Sequence, residues 1–239
     1  MNEGGSISRL ERDVLDESVT LGSLLRQVLI LGGQSSSDGL RAWALSELKG
    51  YSGTEVAVPQ YRNLTAQLVM DVTAGPQQFR HEIGRSDLPE SVREHFPDVV
   101  SVPWGVTEIQ ATVDSIEDTH VRLSGPYMTE LAKLMTQQQR ELYQSPFVAV
   151  KAVYWSVATA VLTGVLDQVR TQLTEFIAEM RTVMPPGTDQ PTAEVVQKAF
   201  STINIKVGDN SPVYVTAPVA VADKDATATI GSALAPQDQ

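Results

Sequence analysis

Glu47-Leu48-Lys49-Gly50-Tyr51, followed by Val58-Pro59-Gln60-Tyr61-Arg62, marks the point where the apolar pattern of this chain changes period. Before it, apolar residues recur at helical spacing. Ser8 and Glu11 form a capping-box pattern, and Leu10, Val14 and Leu15 follow, which predicts a first short helix from Ser8 to Glu17. Thr20 is placed to cap a second helix, whose Leu21, Leu24, Leu25, Val28 and Leu29 keep one face apolar until Gly32-Gly33. A third carries Leu40, Trp43, Ala44 and Leu48 on one side and stops at Gly50. The opening residues therefore read as a helical hairpin or three-helix unit.

After Arg62 the period drops to two. Leu64, Ala66, Leu68, Met70 and Val72 alternate with Thr65, Gln67 and Asp71, so 64–72 is expected to be a half-buried strand. Ala74-Gly75-Pro76 supplies a turn into a weaker return strand over Gln77 to Ile83. Asp87 and Pro89 start a short helix to about Phe96, and Val106, Ile109, Val113 and Ile116 mark another. Pro126 opens a further helix with Met128, Leu131, Leu134, Met135 and Leu142 facing inward. Phe147 to Trp155 reads as a strand covered on both faces, with Ser156 as the cap of the next helix. From Val157 to Met184 runs the strongest helical stripe, roughly 40 Å long, ended by Pro185-Pro186.

The expected fold class is thus α+β and helix-rich: an N-terminal helical hairpin or three-helix unit, a small β region, a long C-terminal helix and a short β appendage. The domain reading is 1–184 for the main body, 185–192 for a Pro- and Gly-containing linker, 193–222 for a small helix plus β-strand appendage, and 223–239 for a flexible tail. In the appendage Ala193 to Phe200 suits two helical turns, after which Ile203, Ile205 and Val207, then Val213 and Val215, alternate.

Composition narrows the function classes. With 42% apolar residues in 239, a sizeable core is expected. Eighteen Lys and Arg against 29 Asp and Glu give a net charge of −11, so neither nucleic acid nor an anionic membrane surface is expected as a partner. There are no cysteines, which removes disulfides, thiolate catalysis and Cys-based metal sites and fits a reducing cytoplasm. No basic region followed by an apolar run opens the sequence, and export is not expected. The mostly apolar run from Ala152 to Leu166 is about 15 residues, short of the roughly 18 needed to cross a bilayer.

Motifs that carry chemistry are sparse. Gly32-Gly33-Gln34-Ser35-Ser36-Ser37-Asp38-Gly39 lacks the Lys-Ser/Thr of a phosphate loop and follows a helix where such a loop follows a strand; it reads as a helix-to-helix turn. His81, His95 and His120 have no metal-ligand spacing, and no Gly-x-Ser-x-Gly elbow is present. Glu47-Leu48-Lys49, with Asp71 as a second carboxylate, has the form of a nuclease ExK site. It ends a helix, whereas such motifs lie on strands, and solvation with a helix C-terminus accounts for its charges. No catalytic residue, cofactor or metal is expected from these patterns. Tyr51, Tyr61, Arg62 and Arg170 are the candidates for a structural joint or a partner contact, each arginine suited to holding a carboxylate bidentately.

The segments around these residues resemble the AbiTii domain, a bacterial family associated with abortive-infection defence against phage. The resemblance rests on an ELxGY-like end to the helical pair at 47–51, a PxYR-like segment at 59–62, Leu24-Leu25-Arg26, and Val153-Tyr154-Trp155-Ser156 leading into Leu162 to Phe176, similar to a strand followed by an ildxVRxxLLxF-like helix. Gly164 departs from good helix chemistry there, which suggests close packing against another element. The resemblance implies phage defence and hands over no active site. A non-enzymatic sensor, regulator or scaffold that acts as a homo-oligomer is the expected role, with a phage protein or a neighbouring defence protein as a further partner. A toxic effector enzyme such as a metal-dependent nuclease, and an antitoxin-like regulator of a neighbouring gene product, are the alternatives.

Overall fold

In the computed structural model, residues 7–53, 57–97, 99–125 and 127–207 are described, and all belong to one compact unit that runs to residue 209. A second unit, 210–239, lies outside them, and with it the expected strands at Val213 and Val215. The described elements are helical and β together: the fold is α+β and helix-rich, as the periodicities require.

Three helices open the unit: α1 (Ile7–Leu15), α2 (Leu21–Gln34) and α3 (Asp38–Lys49). The Thr20 hydroxyl accepts the Ser23 amide and caps α2, while Ser35 donates back to the Leu31 carbonyl at its end (2.8 Å). Ile7, Leu10 and Val14 of α1, Leu24, Leu25 and Val28 of α2, and Leu40 and Ala44 of α3 are all buried in one core. Ser8 and Glu11 do not close a local box. Arg181, from the far end of the chain, donates to Glu11 (2.7 Å) and to the Ser8 hydroxyl (2.8 Å).

The expected strand 64–72 is two strands. β1 (Asn63–Leu64) pairs antiparallel with β4 (Val100–Ser101), and β2 (Gln67–Ala74) belongs to a different sheet with β3 (Gln77–Ile83), β5 (His120–Leu123) and β6 (Val148–Ala158). Arg62 forces the split, because its carbonyl accepts the Val102 amide (2.9 Å) and commits the next two residues to β4. The four-stranded sheet has the order β3-β2-β6-β5, antiparallel throughout. Leu68, Met70 and Val72 face the core; Asp71 and Thr73 lie on the outer face. Ser156 does not cap a helix, since β6 continues to Ala158, where Val157 and Ala158 pair with Val121 and His120. A register shift of β6 against Asp71/Val72 lets Val150 and Val153 both point inward.

The two edges of this sheet are treated differently. β5 reaches only residues 155–158 of β6. Along the rest of β6, helix α6 (Met128–Tyr143) takes its place: the Thr136 hydroxyl accepts the Val150 amide (2.9 Å), and Arg140 Nε donates to the Val148 carbonyl (2.8 Å). At the other edge, residues 77–82 of β3 are exposed in succession. Helix α6 buries Met128, Leu131, Ala132 and Met135, but Leu134 and Leu142 face outward, at the margin of the stripe that α6 lays on the sheet. Phe147 is exposed as well, one residue before β6 enters the sheet.

Between β3 and β6 the chain adds α4 (Glu90–Arg93) and α5 (Val106–Ser115). The long helix α7 (Thr159–Val183) is 25 residues, about 37 Å at 1.5 Å per residue, and buries Leu162, Val165, Val169, Leu173, Phe176 and Met180. A Cβ built on Gly164 would meet nothing, so that glycine does not mark a close approach. Last comes α8 (Ala193–Val207). The alternation at Ile203, Ile205 and Val207 does not make a strand, because Val196, Ala199 and Ile203 fall on one helical face that docks in the core beside α7. Phe200 stands on Gly39 and faces Trp43, the ring centroids 6.5 Å apart.

Candidate functional site

Glu47 lies one helical turn beyond Trp43 on α3, and Tyr51, just past the helix end, is turned back by Gly50 to reach the Glu47 carboxylate. Gly50 terminates the helix with φ +91°, its amide held by the Ser46 carbonyl (2.7 Å). That turn lets the chain pass hard against 103–105: the Tyr51 amide donates to the Pro103 carbonyl (2.7 Å), and a Cβ on Gly50 would stand 2.5 Å from the same oxygen. Gly105 meets the mirror constraint, its would-be Cβ 2.5 Å from the Leu48 carbonyl oxygen. Pro59 then starts a short 3-10 turn, Gln60–Arg62, which delivers Tyr61 and Arg62 to the same place.

The result is a buried ionic joint. Glu47 and Arg62 both have 0% side-chain exposure. Arg62 Nη2 donates to Glu47 Oε2 in a close ion pair, and Nε reaches Oε1 at 3.4 Å. The hydroxyls of Tyr51 and Tyr61 both donate to Oε1, and Trp43 Nε1 donates to the Tyr61 oxygen (3.4 Å). Arg62 Nη1 donates to the carbonyls of Val102 (3.2 Å) and Trp104 (2.6 Å), and the guanidinium lies over the Tyr51 ring at 5.0 Å. Burial, reinforced by the Glu47 charge, raises the pKa of Tyr51 and of Tyr61 above the ordinary phenol value. Burial, the largest single influence on Arg62, would lower its pKa; the Glu47 charge and hydrogen bond, together with Tyr51 and Tyr61, carry the net shift upward.

This overturns the reading of Glu47 as a solvated helix-end charge. Both its oxygens are committed to donors from three residues, and it has no contact with solvent. Lys49, its partner in the ExK pattern, is exposed on the other side of the helix end. Asp71 belongs to a second constellation, on the outer face of the sheet. There Arg122 Nη1 donates to Oδ2 (2.9 Å), Arg80 Nε lies 3.5 Å from Oδ1, the Tyr154 hydroxyl donates to Oδ1 (3.1 Å), and Arg122 covers the Tyr154 ring at 4.6 Å. Burial and then the Asp71 hydrogen bond raise the Tyr154 pKa.

Arg170 stands apart from both. From α7 it donates to the carbonyls of Val14 (2.9 Å), Asp16 (3.4 Å) and Val19 (2.7 Å), closing the C-terminal end of α1 and the turn into α2. It holds backbone oxygens where a carboxylate was expected. The Asp16 carboxyl is lowered mainly by the Ser18 hydroxyl, then by the Ser18 amide, with a smaller part from Arg170. Of the four sequence candidates, Tyr51, Tyr61 and Arg62 therefore meet and Arg170 does not. Sequence reasoning missed Glu47 as the centre of the joint and Trp43 as its outer donor. The signal was present in the i, i+4 spacing of Trp43, Glu47 and Tyr51. Among the described residues, no three His, Asp or Glu are placed to hold a metal, and no helix is long and apolar enough to cross a membrane.

The family model for AbiTii matches residues 7–205, from the first residue of α1 into α8. The chain belongs to the AbiTii family. No curated protein and no solved structure matches it. Membership associates the chain with abortive-infection defence against phage, and the AbiTii match takes in α8 and the turn before it. The ELxGY and PxYR segments that carry the likeness are the two halves of the Glu47–Arg62 joint.

Proposed function

We propose that this AbiTii protein serves phage defence without catalysis of its own, as a bacterial cytoplasmic sensor, regulator or scaffold that acts by contact with other proteins, copies of itself included. The supporting observation is the state of Glu47. The carboxylate nearest to a catalytic motif is sealed from solvent, and its lone pairs are taken by Arg62, Tyr51 and Tyr61. A metal would have to displace a buried arginine to reach it, at a cost of several kcal/mol. The other carboxylate of the pattern, Asp71, is engaged by two arginines and a tyrosine in a separate cluster.

A plaque assay separates this role from an effector enzyme. Lys49→Ala and Asp71→Asn change surface side chains and leave the joint whole, so protection against phage is expected to stay within a few-fold of the unaltered chain. Loss of protection by orders of magnitude, with the melting temperature unchanged, would reinstate the nuclease reading.

A further inference from the structure

The bare edge of the sheet has a charge pattern that selects its own partner. We propose that two copies of this chain pair through β3, edge to edge and antiparallel, about a two-fold axis at His81, giving one continuous eight-stranded sheet. This deepens the proposed role in protein contact and rests on it.

The turn between β2 and β3 fixes which backbone groups are free. Ala74 and Gln77 flank a two-residue loop, Gly75 at φ +61° followed by Pro76, which suits a tight hairpin whose end pair is hydrogen-bonded. Bonded and non-bonded pairs alternate from there, in an unbroken register down to Leu68 opposite Ile83. Gln77, Phe79, His81 and Ile83 therefore spend their amides and carbonyls on β2. Gln78, Arg80 and Glu82 point theirs outward, away from the sheet.

A two-fold axis perpendicular to the sheet keeps inner and outer faces in line, so it must pass through one residue of β3. Through Arg80, it sets the two arginines against each other and Gln78 against Glu82. Through Glu82, it sets the two carboxylates together. Through His81, it places Arg80 of each copy opposite Glu82 of the other, in hydrogen-bonded pairs, and repeats that attraction twice. Opposite charges directly across a strand pair stabilise it and like charges oppose it. Glu82 is exposed and has no ion pair among the described residues, so it is free to accept the second copy's arginine. On the inner face the same axis sets Phe79, 43% exposed, opposite Ile83 of the other copy. The contrast with the other edge supports the choice. There, α6 bonds to Val148 and Val150 of β6 through Arg140 and Thr136, and β5 pairs with 155–158; β3 has no such cover among the described residues.

Light scattering during size exclusion gives the mass, against 25.9 kDa for one chain. A species of twice that mass is expected. Glu82→Arg should weaken dimerisation at least about tenfold, because the axis counts each reversed pair twice. Combining Arg80→Glu with Glu82→Arg should restore the dimer. Arg80 also touches Asp71, so circular dichroism melting checks that the exchanged chain is folded, and a cross-link gives an independent reading. The chain has no cysteine. His81 would face its counterpart in a non-hydrogen-bonded pair, about 4.5 Å between Cα atoms, which a disulfide spans. Oxidised His81→Cys should run as a covalent dimer, and Gln78→Cys, six residues out of register, should not. A monomer at the highest soluble concentration, a dimer untouched by Glu82→Arg, or linkage at Gln78 in preference to His81 overturns the proposal. Plaque protection is a separate measurement: a monomeric Glu82→Arg chain that still protects would leave the pairing standing and remove it from the defence.

Discussion

Two clusters in this molecule use the same parts, a carboxylate, arginine and tyrosine, and differ in where they stand. Around Glu47 the charges are inside: the carboxylate and Arg62 have no exposure, and helix α3, the 3-10 turn and the 102–104 carbonyls each supply a partner. Around Asp71 the carboxylate keeps 28% of its side-chain surface, and Arg80 and Arg122 keep more than half of theirs. In both, an arginine lies over a tyrosine ring, at 5.0 and 4.6 Å. Contact geometry alone would rank them as equals. Solvent decides otherwise, since water screens the outer cluster and competes for its hydrogen bonds, while the inner one has no alternative to its own partners.

Removing one charge of the inner pair is therefore expected to have the largest effect. Glu47→Ala should cost about 3–5 kcal/mol in urea unfolding, since it leaves Arg62 charged and buried and takes the acceptor from two phenols. Glu47→Gln combined with Arg62→Met removes both charges and keeps an acceptor. That pair should unfold less readily than the single Glu47→Gln chain; equal or worse stability would show that the joint is held by shape and that its charges are incidental.

Gly50→Ala comes next, at about 2–4 kcal/mol, from a left-handed backbone and a methyl forced onto the Pro103 oxygen. Differential scanning calorimetry on this variant and on Gly105→Ala, which meets Leu48, tests whether the joint tolerates a wider gap between the two backbones.

The pH dependence is smaller near neutrality and grows in alkali. The Tyr51 and Tyr61 values are raised in the folded chain, by burial and then by Glu47. Their contribution to stability is thus complete below the unfolded value, about 10, and is lost as pH rises past it. Melting temperatures followed upward from pH 8 should fall steeply above about 10. Tyr51→Phe should flatten that fall, and an unchanged slope would move its origin elsewhere. Asp71→Asn should matter least, by less than about 1 kcal/mol, and still less in high salt. A loss as large as that of Glu47→Ala would erase the distinction between the two clusters.

The sequence carried one half of this contrast poorly. Helices α1 to α3 were readable because their signals are local: the Thr20 cap, the leucine spacing of α2 and the Gly50 stop all act within a few residues. The β2–β3 hairpin was readable for the same reason, through alternation and Gly75-Pro76. Strand β5 was not, since His120–Leu123 is four residues long and exists only by pairing with 155–158 of β6. α8 carries both periods at once, and contact with α7 selected the helical one. Glu47 shows the limit most clearly. A glutamate near a helix end is usually solvated, and only the aromatic neighbours at i−4 and i+4, with an arginine 15 residues on, mark this one as buried.

The latch between Arg181, Asp189 and the start of α1 sets the order in which this domain can be completed. The Ser8 amide and hydroxyl reach Asp189 across a separation of 181 residues, and the Ile7 amide donates to the Asp189 carbonyl. Helix α1, which is made before the rest of this unit, thus waits for α7 before its apolar stripe, Ile7, Leu10 and Val14, has its covering surface, and for residue 189 before its start is tied down. During synthesis the apolar stripe of α1 stays uncovered, and the unit closes only after translation has passed residue 189. Nascent chains stalled short of α7 should be cut readily by protease within α1, and chains released beyond residue 207 should resist.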